Sequence, residues 1–284
     1  MIVVSDGPDE ITSAVISCFD TILFYYLPTE ERSGPAAARN HGWLNAKGDI
    51  IAFTDDDTIP DPLWLISFWK NYNGEKAMVY TGKTIVPISG TPTDYEKNTA
   101  GLETAEFITA NCCCTKTALS LVHGFDERFS RAWREDSDLH FKFIRKDIPI
   151  IHVPSAMVFH PVRPAPWGIS LKEQQKTKFN ALLYKKYPDL YREKIQQSPL
   201  WNYYAMVLLA LLSAALIIEG RVTWGLLFLA AWLMLFTEFT ARRLRRTSKS
   251  FSHISEMICT SVCIPFLSLF WHWYGNIKYK TAFL

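Results

Sequence analysis

Three consecutive aspartates, Asp55, Asp56 and Asp57, follow an apolar run in the stretch DIIAFTDDDTIPDP. Adjacent carboxylates disfavour each other's ionised form, so the cluster costs stability unless a cation lies beside it. Along an extended segment, Asp55 and Asp57 point to one side and Asp56 to the other. Two carboxylates of this kind suit Mg²⁺ or Mn²⁺ and leave coordination positions open for phosphate oxygens. The stretch therefore predicts a divalent metal site; the alternative is an acidic turn before a helix that starts near Pro62.

A second acidic cluster occupies the stretch REDSDLHFKFIRK, where Glu135, Asp136 and Asp138 fall in the first turn of a predicted helix. Carboxylates are favoured at a helix N-terminus, which keeps them ionised and lets one act as a general base. Neighbouring helical residues diverge by about 100°, so only one of Glu135 and Asp136 can face a reacting centre. Asp136 is the better candidate because it shares a face with Leu139 and Phe143. Helix capping alone is the other explanation of these acids.

Two more polar residues follow predicted strands. Asp6 comes directly after the opening apolar run MIVVS, and His160 comes after VPSAMVF and before a proline. A lone histidine is more often structural than a ligand, so His160 stays open at this point.

Strand and helix patterns alternate over the first 165 residues. MIVVSD, TILFYYLP and DIIAFTDDD are predicted strands, and GPAAARNHGWLNA is a predicted Ala-rich helix that ends near Gly48. This order indicates the α/β class with a Rossmann-like, mainly parallel sheet, whose ligands bind beyond the carboxyl ends of the strands. Asp6 and the aspartate triplet both lie at such ends.

Apolar residues are concentrated after position 200. YYAMVLLALLSAALII and VTWGLLFLAAWLMLF carry no charge, and with their flanking aromatics they approach the roughly 30 Å of a bilayer core. The basic run ARRLRRTSK at 241–249 predicts that it and residues 1–200 share the cytoplasmic side. Residues 257–275 either cross the membrane or lie in the interface, because Pro265 interrupts them. A buried helical hairpin is the alternative to a membrane region.

Five stretches occur in the order and approximate spacing of the family-2 inverting glycosyltransferases, which this chain resembles over about residues 1–165: VVSDG, GPAAARNHGWLNAKGDIIAFTDDDTIP, NCCCTKTALSLVHGFDERF, REDSDLHFKFIRK and VPSAMVFHP. The resemblance implies an A-type glycosyltransferase fold, a nucleotide-sugar donor and a Mn²⁺ or Mg²⁺ cofactor bound through an Asp-x-Asp (DxD) motif. On this basis we expect a catalytic domain at 1–165, a helical linker at 166–200 and a membrane region with two or three helices at 201–284.

The resemblance also implies roles on the donor side of the site. Asp6 matches the carboxylate that contacts the nucleoside, and Arg39 matches part of the loop that lines the nucleotide site. Asp55 and Asp57 match the metal- and diphosphate-binding motif, and Asp56 is assigned to the donor site with them.

On the acceptor side, Asp136 matches the general base, with Glu135 beside it in a supporting role. On the donor side, His160 aligns with a histidine that some members use on the metal. In-line attack by one activated hydroxyl gives inversion, and charge on the leaving diphosphate is offset by a divalent ion.

Family members normally begin with a further strand and helix ahead of the strand that opens this chain, so we expect an N-terminally incomplete catalytic domain. A catalytically inactive, membrane-anchored binding or scaffold protein is the alternative. A metal-dependent phosphohydrolase or nucleotidyltransferase is a second one, but it does not explain the ordered motifs.

The expected function is sugar transfer from a nucleotide-sugar donor to a glycan or lipid-linked acceptor, in polysaccharide biosynthesis of the cell envelope. The expected location is the inner or plasma membrane, with the catalytic domain in the cytoplasm and no nucleic-acid partner.

Overall fold

The computed structural model describes residues 1–19 and 24–283, which divide into two units. Unit 1 comprises Met1–Pro87 and Leu102–Pro161, and unit 2 comprises Ile88–Gly101 and Val162–Leu284. The predicted domain boundaries at residues 165 and 200 stay predictions.

The strands described in unit 1 are β1 (Ile2–Val3), β2 (Tyr25–Tyr26), β3 (Ile50–Phe53), β4 (Ile59–Pro60), β5 (Val79–Ile85), β6 (Cys112–Thr115) and β7 (Ile150–Phe159). β1 and β2 form a two-stranded parallel sheet. The other five form one sheet in the order β3-β6-β5-β7-β4. The predicted strand TILFYYLP is present as β2, and its first residues, up to position 23, lie outside the described residues.

The α/β class is confirmed, and the larger sheet is mixed. Its one parallel pair is β5 with β7, whereas β6 runs antiparallel to both β3 and β5, and β4 antiparallel to β7. Alternating strand and helix patterns indicate the type of each element but not which strands become neighbours. The expectation of a mainly parallel sheet does not hold for β6. This strand follows β3 and β5 in the sequence but lies between them in the sheet.

The helices of unit 1 are α1 (Glu10–Ser17), α2 (Pro35–Asn45), α3 (Trp64–Asn71), α5 (Lys116–Leu121) and α6 (Glu135–Arg145). α2 is the predicted Ala-rich helix. It begins with a proline, whose missing N–H costs nothing in the first turn. Its residues Ala36 and Trp43 pack with Ile51 and Phe53 of β3 in one core cluster. Helix α2 is thereby fixed against the strand that leads into the aspartate triplet.

Strand β6 separates the two core clusters of unit 1. Cys112 and Cys114 belong to the cluster that contains α2 and α6, while Cys113 belongs to the cluster that contains Trp64 and Phe68 of α3. The alternation of side chains along a strand accounts for this division.

The helices of unit 2 are α4 (Asp94–Thr99), α7 (Ile169–Glu173), α8 (Lys178–Lys186), α9 (Pro188–Lys194), α10 (Trp201–Ile218), α11 (Val222–Leu244) and α12 (Phe251–Tyr279). The last three are long and apolar enough to cross a membrane, with mean hydropathies of 1.9, 1.7 and 1.6 in their most apolar windows. α12 continues through Pro265. The third apolar stretch is therefore one uninterrupted helix.

Arg243, near the end of α11, binds the segment 88–101 within unit 2. Its guanidinium lies 2.9 Å from the carboxylate of Asp94 and donates hydrogen bonds to Thr260 and Ser261 of α12. Both charged side chains are largely buried. Each charge compensates the other in this buried position, and the ion pair links residues 88–101 to α11 within unit 2.

Candidate active site

Helix α6 holds the second acidic cluster against the core. Leu139 and Phe143 on its inner face are fully buried, as their spacing predicts. The helix is preceded by Arg134 in a left-handed conformation, with φ of 74°. Glu135 and Asp136 are therefore the first two residues of α6, directly after a residue at which the backbone changes direction.

Burial changes the acidity of both carboxyl groups. Loss of solvent and then the negative charge of Asp136 raise the pKa of Glu135 from 4.5 to about 7, against the opposing effect of Arg39. Burial also raises the pKa of Asp136, although its carboxylate accepts hydrogen bonds from the backbone N–H and hydroxyl of Ser137. A carboxylate whose pKa is raised is a stronger base, which suits proton abstraction.

Arg39 connects the two acidic clusters. From α2, its Nη2 lies 2.7 Å from Oδ1 of Asp55, and its Nη1 lies 3.2 Å from Oε1 of Glu135. Burial disfavours the charged guanidinium, but the carboxylates of Asp55 and Glu135 outweigh that penalty and raise the pKa of Arg39. The triplet loop and the start of α6, 80 residues apart in the sequence, thus meet at one permanently charged side chain.

The aspartate triplet lies in the loop between β3 and β4. Asp55 and Asp57 are half-buried and Asp56 is exposed, as expected from their alternation. Oδ1 of Asp57 lies 3.7 Å from Nε2 of His160, the residue that follows β7. The two flanking aspartates therefore have different partners: Asp55 contacts a guanidinium and Asp57 an imidazole.

Asp6 has a separate position. Its Oδ1 accepts hydrogen bonds from the backbone N–H groups of Ser33 and Gly34, at 2.7 and 2.8 Å. These residues immediately precede α2, so the carboxylate fixes the start of the helix that carries Arg39. The side chain is exposed and contacts this loop rather than Arg39 or the triplet.

The residues of the triplet loop and β7 suit a divalent cation in part. No group of three or more His, Cys, Asp or Glu side chains is assembled as a metal site among the residues described. Asp57 and His160 nevertheless offer one carboxylate oxygen and one imidazole nitrogen side by side, and Mn²⁺ accepts both kinds of ligand. A two-donor set leaves most of the coordination shell for phosphate oxygens and water.

Comparisons with known proteins agree with this architecture. Residues 1–132 match the family described as Glycosyl transferase family 2. The Pre-mycofactocin glycosyltransferase of Mycobacterium tuberculosis is 28% identical over 145 residues, which cover 46% of this chain and 30% of the relative. Residues 1–132 are therefore similar to a family-2 glycosyltransferase domain. The chain spans about 30% of the length of the curated relatives that it matches.

A solved structure has a fold similar to that of this chain. The mannosyltransferase PcManGT from Pyrobaculum calidifontis, in complex with GDP-Man and Mn²⁺, superposes with a TM-score of 0.53 at 16% sequence identity, covering 93% of this chain and 77% of that one. The family match contains Asp6, Arg39 and the aspartate triplet, and it ends before Glu135. The roles of α6 and His160 therefore depend on the geometry described above.

The sequence motifs predict site roles for these acids but not the ion pairs that they form with Arg39. Arg39 was assigned to the nucleotide site by resemblance, and nothing local indicated that it would also contact Glu135. The motifs do not single out Asn111, a buried asparagine next to the cysteine run, although Asn directly before a buried strand is itself a signal of a hydrogen-bonding role.

Proposed function

We propose that this glycosyltransferase moves a sugar from a nucleotide-sugar donor to an acceptor hydroxyl with inversion at the anomeric carbon. The observation that carries this proposal is the pair of contacts made by Arg39, at 2.7 Å to Asp55 and 3.2 Å to Glu135. These contacts bring a phosphate- and metal-suited loop and a base-suited helix into one site.

Asp136 is the general base in this proposal. The acceptor oxygen forms its bond to the anomeric carbon as the donor's bond to the diphosphate oxygen breaks, and the diphosphate leaves with the electron pair. The hydroxyl proton passes to the carboxylate of Asp136, whose pKa is raised by burial. Glu135 is held by Arg39 and is less available for this step.

The triplet loop and His160 form the donor side. Asp57 and His160 would hold a Mn²⁺ or Mg²⁺ ion, which when bound offsets negative charge on the leaving diphosphate. Arg39 supplies a positive charge beside the triplet loop, and Asp55 orients its guanidinium. Asp6 is a proposed contact of the donor. Asp56, assigned to the donor site by the resemblance, is exposed and points away from the side that Asp55 and Asp57 share, so no direct contact is proposed for it. The presence of GDP-Man and Mn²⁺ in the mannosyltransferase PcManGT supports this assignment.

Helices α10, α11 and α12 are proposed to anchor the enzyme in a membrane. The turn before α11 carries Arg221 beside Glu219, whereas the turn after it carries exposed Arg245, Arg246 and Lys249. This asymmetry favours a cytoplasmic α11–α12 turn and, across the two preceding helices, a cytoplasmic catalytic domain. Because membrane helices would hold the enzyme at the bilayer, the proposed acceptor is a lipid-linked or membrane-bound glycan.

The test is product formation by the full chain in membranes supplied with labelled GDP- and UDP-sugars. We expect transfer to a membrane component, with anomeric configuration opposite to that of the donor. Arg39→Gln should reduce transfer strongly, while Glu173→Gln, which removes an acid paired with Lys176 in unit 2, should not. Retention of configuration, or equal activity of Arg39→Gln and the wild type, would contradict the proposal.

A further inference from the structure

The parallel pair β5–β7 is interrupted by a bulge just before it reaches the site. Gly82 pairs with Val153, but the next residue of β5, Lys83, pairs with Met157, so three residues of β7 are skipped. A bulge of this kind leaves carbonyl groups without ladder partners and redirects the strand. The residues after the bulge are the ones that lead to His160.

Asn111 closes this bulge from inside the domain. It is fully buried, and its side-chain amide donates to the carbonyl oxygens of Lys83, at 3.0 Å, and Ala156, at 3.1 Å. Its Oδ1 accepts a hydrogen bond of 2.8 Å from Nε1 of Trp64. Every hydrogen-bonding atom of the amide is thereby used, and its orientation is determined by an indole that can only donate.

Two further contacts show that the bulge is closely fitted. The hydroxyl of Ser67, in α3 with Trp64, donates to the carbonyl of Ser155, at 3.0 Å. A Cβ at Gly82 would overlap the carbonyl oxygen of Ala156 and the amide of Asn111. The strand can therefore approach Asn111 only because residue 82 has no side chain.

Beyond the bulge, the register of β7 determines where His160 lies. Phe159 pairs with Ile59, two residues after Asp57, and the backbone N–H of His160 donates to Ile85 at 2.8 Å. Since side chains alternate along a strand, a slip of one residue would turn the imidazole away from Asp57. The 3.7 Å approach of His160 to Asp57 depends on the bulge keeping its length.

We propose that Asn111 is a positioning residue for the donor side of the site: it holds the β5–β7 bulge and so keeps His160 opposite Asp57 as a second ligand for a divalent cation. This inference rests on the proposed function, because the cation is expected to bind together with a nucleoside diphosphate. Asn111 itself acts through the backbone of β7.

The test measures Mn²⁺ binding by calorimetry on the full chain in detergent with saturating GDP or UDP. Asn111→Asp keeps the shape of the side chain but removes both amide donors. We expect Mn²⁺ affinity to fall about 10- to 100-fold, the usual effect of losing a residue that orients a metal ligand. In a His160→Gln background the same substitution should cause no further loss, because the ligand that it positions is already gone.

The chain offers a matched control in Asn40. Its Oδ1 also accepts from an indole, Nε1 of Trp43 at 2.9 Å, and its amide donates to the carbonyl of Phe125 and to Glu127, away from β7. Asn40→Asp should lower thermal stability comparably and leave Mn²⁺ affinity within about threefold. If Asn111→Asp does not fold, Trp64→Phe, which removes the indole N–H that orients Asn111 together with some buried ring volume, should show the same dependence on His160.

Equal losses of Mn²⁺ affinity in the Asn40 and Asn111 variants, or additive losses with His160→Gln, would overturn the positioning role. Absence of any Mn²⁺–nucleotide binding by the wild type would instead contradict the proposed function. The two failures are therefore distinguishable.

Discussion

The two acidic clusters of this protein use the same residue types in opposite environments. In the triplet loop, the side chains of Asp55 and Asp57 are 29% and 22% exposed, and each faces a cationic or imidazole partner. At the start of α6, the side chain of Glu135 is only 6% exposed and has Asp136 as its neighbour. A loop with solvent access can exchange ligands, whereas a carboxyl group under desolvation binds a proton more tightly.

The difference in burial suits the two clusters to two different tasks, although both are short runs of acidic residues in the sequence. Ion binding needs ionised oxygens with open approach, and general-base catalysis needs a carboxylate of raised pKa beside the reacting atom. Arg39 touches both clusters: its guanidinium forms an ion pair with Asp55, and its charge opposes the rise in the pKa of Glu135. The comparison therefore predicts that substitutions in the two clusters affect different measurable steps.

The largest effect is expected for Asp136→Asn. Removing the base should lower single-turnover transfer by about 10² to 10⁴-fold while nucleotide binding is retained, because an amide cannot accept the hydroxyl proton. Rapid-quench transfer measurements alongside calorimetric nucleotide binding would test it. A loss confined to binding would place the base at another residue, with Glu135 as the next to replace.

A smaller effect, on metal binding rather than on the transfer step, is expected for Asp57→Asn. Loss of the carboxylate beside His160 should weaken nucleotide-dependent Mn²⁺ binding about 10- to 100-fold, by analogy with other metal-site substitutions. Nucleotide binding without metal should change little, since Arg39 and Asp55 keep their contact. Calorimetry with and without Mn²⁺ would separate the two terms, and an equal loss in both would remove Asp57 from the metal site.

The buried cluster should also make stability depend on pH. The pKa of Glu135 is raised from 4.5 to about 7, chiefly by burial. Its contribution to folding stability is therefore fully present below pH 4.5 and lost as the pH rises through 7. In the wild type, this loss should lower the free energy of unfolding by about 1 to 3 kcal/mol between low and neutral pH. Glu135→Gln should make the loss smaller.

Tm values of the wild type and Glu135→Gln, measured in one detergent from about pH 5 to pH 8, would show this effect. The wild-type Tm should fall more steeply. Some slope should persist in the variant, because burial raises the pKa of Asp136 in the same direction. Parallel curves would mean that Glu135 is not the group responsible.

Local patterns in the sequence were sufficient for several features. The alternation of Asp55, Asp56 and Asp57, the inward face of α6 and the apolar helices after position 200 follow from the periods of strands and helices. Pairing between distant elements does not follow from such periods. The antiparallel placement of β6, the contact of Arg39 with Glu135 and the bulge at Gly82 each join residues far apart in the chain.

His160 illustrates that limit. From the sequence it was a lone histidine before a proline, more often structural than functional. Its position opposite Asp57 comes from the register of β7 after a three-residue bulge, which no local pattern encodes. The position of Asn111 before a buried strand indicates a hydrogen-bonding role, but no local pattern indicates that its amide bonds to Lys83 and Ala156 at this bulge.

The smallest effect should come from Asp56→Asn, which tests the alternation inside the triplet loop. Asp56 is exposed and points away from the side shared by its two neighbours, so its charge adds little to a cation held at Asp57. We expect Mn²⁺–nucleotide affinity to change by less than about threefold and single-turnover transfer to stay near the wild-type rate. Asp57→Asn is the matched control, since it makes the same chemical change one residue away. Comparable losses in the two variants would show that the loop presents all three carboxylates to one ligand. Asp56 would then be a third metal- or donor-binding residue of the ion-binding loop.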